Sequence, residues 1–303
     1  MSAAGRLQMD IASRSIQGDR STQDDFYRIT EIGGGLLAVL CDGMGGYHGG
    51  DVASRLATDT MTAHVAAGLG PTNGPGSGTP STDAMVAGLL AANAKLMDVK
   101  QQDPALDAMG TTLLGFRIEN DRLAWISVGD SPFWLLRDDA LVRLNEDHSM
   151  RGDASRAGGA ANVLRSSVSG DPIPLIDVSE SDLMLCPGDM LIAASDGILT
   201  LDELAIAAAT HRCRDAETAV QALIGAVIDR GKSRQDNCSV IAIVLHAAAV
   251  ADKLPHPVER PAARSATPIT MRHVLTVSAI SVAVVLACIF LLRSGLSSLL
   301  GGL

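Results

Sequence analysis

Apolar residues fall along this chain in short runs that end on acidic or glycine-containing turns. Leu36–Cys41, LLAVLC, has no polar position, the pattern of a strand covered on both faces, and it runs directly into DGMGG at 42–46. From Asp51 to Leu69, alanine, leucine and methionine recur at helical spacing. A second helix is expected from Asp83 to about Gln102, beyond the breaker-rich PTNGPGSGTPST at 71–82. Strands are then expected at 111–120, 122–130 and 133–144, with Asn120–Asp121 and Asp138–Asp139 as hairpin turns. DMLIAASDG at 189–197 gives another strand that ends in an acidic loop. Helical segments cover roughly Leu201–Thr210 and Arg214–Arg230, and CSVIAIVLHA at 238–247 reads as a late strand. Sheets bordered by pairs of helices follow from this pattern; a complete topology does not.

The longest apolar run is of a different kind. Val274–Leu292 is 19 residues without a charge, and as a helix rising 1.5 Å per residue it matches the roughly 30 Å hydrocarbon core of a bilayer. Arg260, Arg264 and Arg272 precede it and Arg293 alone follows, so the positive-inside rule keeps the large amino-terminal part in the cytoplasm. The amino terminus has no apolar run of a secretory signal. The organisation expected is a domain at 6–247, a flexible tether at 248–271, a transmembrane helix at 272–293 and a short tail at 294–303.

Composition narrows the chemistry. With 34 acidic against 24 basic side chains, the formal net charge is -10, which argues against a general nucleic-acid binder. The five cysteines form no CxxC pair, and an odd count excludes full internal pairing. Cys41 stands beside the acidic turn, where a neighbouring carboxylate makes its thiolate scarcer and a cysteine nucleophile unfavourable.

The carboxylates are placed more tellingly. One strand delivers Asp42 into a glycine turn, another delivers Asp196 followed by glycine, and Asp236–Asn237 stand immediately before a third. Asp24, Asp25 and Asp130 add to this set at loop or strand ends. Carboxylates gathered in one pocket repel unless cations or protons compensate them, and hard Mg²⁺ or Mn²⁺ ions accept oxygen ligands and bridge two carboxylates. The Gly43 carbonyl can approach such an ion unobstructed. Two ions about 3.5–4 Å apart can acidify a shared water for in-line attack on phosphorus. DGMGG lacks the GxxxxGK[ST] pattern of a nucleotide-binding loop and has an acid where an anion would approach.

Seven segments in order resemble the PPM, or PP2C-type, metal-dependent serine/threonine phosphatases in their compact bacterial form. They are RSTQDD at 20–25, DGMGGYHGGDVAS at 42–54, GTT at 110–112, GDS at 129–131, EDHS at 146–149, SDG at 195–197 and DNCS at 236–239. The resemblance implies an α/β (α+β) fold, a four-layer α-β-β-α sandwich of two antiparallel sheets flanked by helices. It implies that Asp42 bridges two central Mn²⁺ or Mg²⁺ ions with the Gly43 carbonyl on one, and that Asp196 and Asp236 complete the other's ligands. Asp24 and Asp25 would contact metal waters, Asp130 would share a weaker third ion with Asp196, and Arg20 would bind the phosphoryl group. Arg20, Asp42, Asp196 and Asp236 are then the catalytic set. The sequence departs from the family at Asp24, usually glutamate, at Pro132, often arginine, and at Met44, where some members have histidine. Residues 155–170 fall where the family has its flap, with Arg156 and Arg165 able to meet acidic or phosphorylated surfaces. His48 and His148 are expected to organise loops.

The function implied is hydrolysis of protein phosphoserine or phosphothreonine by direct attack of water, without a phosphoenzyme. It would take place at the bacterial inner membrane, with a single-pass anchor and a monomeric cytoplasmic domain. Substrates would include a membrane-associated Ser/Thr kinase or its targets. The alternatives are a small-molecule phosphomonoester phosphatase and a non-catalytic phosphoprotein-binding scaffold.

Overall fold

A strand buried on both faces needs apolar side chains at every position, and the centre of this fold is built from such strands. The computed structural model describes residues 7–46, 49–69, 81–150 and 163–248, and the elements below lie within them. In chain order they are β1 (Gln8–Ile16), β2 (Asp25–Ile32), β3 (Gly35–Met44), α1 (Gly49–Gly68), α2 (Ser81–Gln102), β4 (Gly110–Thr111), β5 (Leu113–Glu119) and β6 (Arg122–Val128). There follow β7 (Phe133–Arg137), β8 (Ala140–Arg143), β9 (Asp177–Val178), β10 (Leu183–Met184), β11 (Met190–Ala194), α3 (Glu203–Thr210), α4 (Ala216–Asp229) and β12 (Cys238–His246).

The strands form two antiparallel sheets, ordered β1-β12-β11-β7-β8 and β10-β6-β5-β3-β2, with β4 paired to β3 and β9 to β6. Alternation along β12 shows the layering. Val240, Ala242 and Val244 face α3 and α4, packing with Ile206, Val220 and Leu223. Ile241, Ile243 and Leu245 turn the other way and meet Leu40, Leu114 and Phe116 of the second sheet. The outer face of that sheet, with Leu37, Val39 and Leu113, is covered by Ala57, Met61 and Leu89 of α1 and α2. These are the two sheets and flanking helices of a PPM sandwich.

Most of the elements expected from periodicity are present, and the differences have physical causes. β1 and β2 carry no apolar run because both are edge strands, half-exposed along most of their length. The expected strand over 111–120 is broken at Thr112, whose backbone N–H bonds the Asp42 carbonyl at 2.9 Å. Asn120, Asp121, Asp138 and Asp139 have φ of 50°, 62°, 50° and 63°, the left-handed pairs of tight hairpin turns. Among the described residues, no helix is long and apolar enough to cross a membrane. The 274–292 run expected to span one lies outside them, as does the tether beyond residue 248.

The middle layer should dominate stability. Phe116 and Phe133 stack across it with ring centroids 4.7 Å apart, both buried. Phe116→Ala is expected to cost about 3–5 kcal/mol in urea denaturation, whereas Leu204→Ala, at a side chain 83% exposed, should shift the midpoint negligibly.

Candidate active site

The register of β2 against β3 sets Asp25 directly opposite Asp42. Like charges opposed across a ladder repel, so the surroundings must hold both in place. The Asp42 backbone is fixed from the β4–β5 break: its N–H donates to Thr112 Oγ1 at 3.0 Å, and its carbonyl accepts from Thr111 Oγ1 at 2.9 Å. Asp25 is buried, and its Oδ2 accepts from Ser195 Oγ at 2.7 Å, while Oδ1 has no partner among the described residues. Asp25 therefore lies beneath the cleft described below and does not line it.

The other sheet supplies the facing side. β11 ends at Ala194, and Asp196 begins a 3-10 turn, Asp196–Thr200, with its backbone N–H 3.4 Å from Asp42 Oδ2. Ser195 and Ser239 lock β11 to β12 there: Ser195 N–H donates to the Ser239 carbonyl at 3.0 Å, and Ser239 N–H to Ser195 Oγ at 2.9 Å. Asn237 ties the β1–β2 loop to the same point. Its Nδ2 donates to the carbonyls of Gln17 and Thr22 at 2.8 and 2.9 Å, and its Oδ1 accepts from Asp24 N–H at 2.9 Å. Both glycines of the two Asp-Gly pairs are required by close backbone approach. A Cβ on Gly43 would stand 2.0 Å from the Gly50 carbonyl, and one on Gly197 the same distance from that of Asn237.

Arg20, Asp24, Asp42, Gly43, Asp130, Asp196 and Asp236 line one cleft of about 690 Å³, with Thr112, Leu164 and Asn237 among its other walls. All the expected site residues except Asp25 are thus brought to one surface. Arg20 donates from Nη2 to Asp236 Oδ2 at 2.5 Å, so the guanidinium expected to take phosphate is bonded to a carboxylate expected to take metal. That bond raises the Arg20 pKa, against the lowering effect of burial. His148, buried, accepts from Gly129 N–H at 3.3 Å through Nδ1 and takes Arg165 N–H on its carbonyl, which makes it the loop organiser expected. His48 and Arg156 lie outside the described residues.

Electrostatically the site is overcrowded with acid. Burial first, and then Asp25, Asp196, Asp130 and Asp236, hold the Asp42 carboxyl well above the usual range. Burial pushes Asp25 from 3.8 to about 7 against the lowering effect of its serine hydrogen bonds. Cys41 is raised to about 12, chiefly by burial and only secondarily by its acidic neighbours. The donors are all oxygens, the set that hard divalent cations take. Among the described residues, no group of three or more His, Cys, Asp or Glu side chains forms a ready-made cation site. An open wall of single carboxylates nevertheless fits Mg²⁺-like ions, which keep several waters and need few protein ligands each.

The sequence model of the family described as protein phosphatase 2C matches residues 13–225. The chain belongs to the protein phosphatase 2C family. It is 32% identical over 143 residues to the serine/threonine protein phosphatase PstP of Mycobacterium tuberculosis, covering 46% of this chain and 25% of that protein. The chain thus spans about a quarter of the length of that relative. It is 26% identical over 206 residues to the protein phosphatase PhpP of Streptococcus pneumoniae, covering 64% of this chain and 80% of the other. Among solved structures, the M. tuberculosis PstP/Ppp phosphatase superposes with a TM-score of 0.67 at 24% identity, over 79% of this chain and 99% of that one, and so shares the fold. The PPM Ser-Thr phosphatase MsPP from Mycobacterium smegmatis, solved with cacodylate, gives 0.62 at 26%, over 77% and 97%.

Thr112, Ser195, Asn237 and Ser239 had no role in the sequence reading, although they lie inside its GTT, SDG and DNCS segments. In this protein phosphatase 2C fold they are the braces that hold the acid-bearing segments in place.

The crowding has a thermodynamic consequence. As pH rises from about 4 to 7, the unfolded chain gives up the Asp25 proton while the folded protein keeps it, so this group lowers stability across that window. Protein kept in EDTA should therefore melt several degrees higher at pH 5 than at pH 8. Asp42→Asn should raise the melting temperature at pH 8 and flatten the dependence. A flat wild-type profile, or a less stable variant, would contradict the repulsion described.

Proposed function

We propose that this chain is a metal-dependent phosphoprotein phosphatase that hydrolyses phosphoserine or phosphothreonine. The observation that carries the reading is the convergence of five carboxylates from two sheets and one arginine on a single open cleft. Asp42, Asp196, Asp236 and the Gly43 carbonyl are the ligands proposed for two Mn²⁺ or Mg²⁺ ions, with Asp130 and Asp196 for a weaker third. When bound, the ions supply an acidified water and charge compensation for the phosphoryl oxygens.

The chain's own residues do the rest. Asp24 sits in the β1–β2 loop pinned by Asn237, and one methylene less than glutamate sets its carboxylate further back from waters in the cleft. Asp25 accepts from Ser195 and holds the floor under Asp42. Arg20 offers a planar donor fork, and its pair with Asp236 is solvent-exposed on both sides, which makes exchange onto a phosphoryl group inexpensive. Met44 has no proton to give, so the leaving serine or threonine oxygen takes its proton from water or another group. The apolar 274–292 run and its flanking arginines support tethering at a bacterial plasma membrane. Substrates there would be membrane-associated kinases or their targets, and alkaline carbonate should leave the chain in the membrane fraction.

Phosphate release from phosphothreonine and phosphoserine peptides by the full chain tests the reading. Release should require Mn²⁺ or Mg²⁺, stop in EDTA, and fall at least about 100-fold in Asp42→Asn and in Asp236→Asn. Folded protein that releases no phosphate at any concentration of either ion would sink it.

A further inference from the structure

Arg20, Asp196 and Asp236 also wall a second, adjoining cleft of about 550 Å³. Its lining mixes both signs of charge, and three of its acids are held in place by bonds that fix their carboxylates without cancelling the charge. Asp202 caps α3, accepting from Ala205 N–H at 2.8 Å, and Glu203 Oε1 accepts from Trp134 Nε1 at 3.3 Å. Asp147 takes Ser149 N–H at 2.8 Å and lies 3.6 Å from Arg143. Two cations are placed otherwise. Lys232 Nζ reaches Thr200 Oγ1 at 3.4 Å and, like Arg234, pairs with no carboxylate among the described residues.

The backbone at Arg234 adds an independent observation. Its φ of 62° is the one positive value on a non-glycine outside the two hairpin turns, among the described residues. Such a conformation costs energy for a side chain with a Cβ and is retained where the surroundings enforce it. Here the next residue enforces it: Gln235 N–H bonds Asp19 Oδ2 at 3.1 Å, and its amide bonds Thr200 Oγ1 and the Gly197 carbonyl at 2.7 and 3.0 Å. The loop is pinned at Gln235 and sets two cations, without carboxylate partners among the described residues, beside the cleft proposed for the phosphoryl group.

We propose that this second cleft receives an anionic side chain, carboxylate or phosphate, that flanks the phosphoresidue in the substrate, with Lys232 and Arg234 as specificity-determining contacts. The inference rests on the phosphatase reading above, and its test separates the two. The full chain and a Lys232→Ala/Arg234→Gly double variant would be compared; glycine at 234 retains the left-handed backbone. The probes are three phosphothreonine peptides of one length, flanked by aspartates, by asparagines, or by asparagines and one phosphoserine, with p-nitrophenyl phosphate as a flank-free reference.

Wild type should favour the anionic peptides over the asparagine peptide by about tenfold in kcat/KM, mainly through KM, and lose that preference at high salt. The double variant should treat the asparagine and anionic peptides within about twofold of each other and leave p-nitrophenyl phosphate turnover unchanged. Preference for both anionic peptides assigns the cleft to negative charge at large; preference for the phosphoserine peptide alone assigns it to phosphate. Equal turnover of all three by wild type, or a preference that survives in the variant, overturns the proposal. If p-nitrophenyl phosphate and every peptide stay intact, the phosphatase reading has failed. Fluorescence anisotropy with the same peptides then decides this one, because tighter binding of the anionic peptides by wild type than by the variant sustains it and equal binding overturns it.

Discussion

Asp25 and Asp42 face each other across the β2–β3 ladder, and Asp196, Asp130 and Asp236 add their charge to the same small volume. No folded chain gathers acids this way without opposing forces, and those forces organise the end of the molecule where the cleft lies. Three acids at this end are held through the backbone or a close neighbour: Asp42 through Thr111 and Thr112, Asp25 through Ser195, Asp24 through Asn237. The braces are neutral hydroxyl and amide groups. They fix position without cancelling charge, so the field of the cluster stays directed at the cleft.

Rigidity on that scale needs both sheets. Asp25 and Asp42 belong to one, while Ser195, Asp196 and Asp236 belong to the other or to its margins. The hydrogen bond from Ser195 to Asp25 therefore crosses the sandwich. The apolar middle layer, with Phe116 against Phe133 and Leu40 in the same cluster as Ile241, keeps the two sheets in one relation. Repulsion at the strand ends acts against this layer, which is why a change that weakens function, such as removing one acid, is expected to strengthen the fold.

What the sequence shows and hides follows the same division. β3, β5, β11 and β12 are buried on both faces, and their continuous apolar runs are plain in the sequence. β1 and β2 are edge strands with mixed exposure, so nothing in their periodicity marks them, although β2 carries Asp25. Asp42 and Asp196 stand out because each follows an apolar run and precedes glycine. Asp24 and Asp25 follow no apolar run and take a specific role only by likeness to family motifs, and the sense of that likeness becomes physical once the register pairs Asp25 with Asp42. The serine and asparagine braces act over separations of 44 to 220 residues, which no local pattern encodes.

Two arginine–aspartate pairs show how exposure assigns different work to the same chemistry. At one end of β11, Arg137 grips Asp189 with two bonds, Nε to Oδ1 at 2.8 Å and Nη2 to Oδ2 at 2.6 Å, and Asp189 is 1% exposed. Breaking that fork would strand a buried charge, so it is a fixed anchor. At the other end, beside Asp196, Arg20 holds Asp236 by one bond, with the two side chains 58% and 34% exposed. Water can take over either partner there, and the bond exchanges at little cost. β11 is therefore clamped where it is far from the cleft and left with an exchangeable cation where it meets it. An arginine that must release one anion to receive another belongs at that second kind of site.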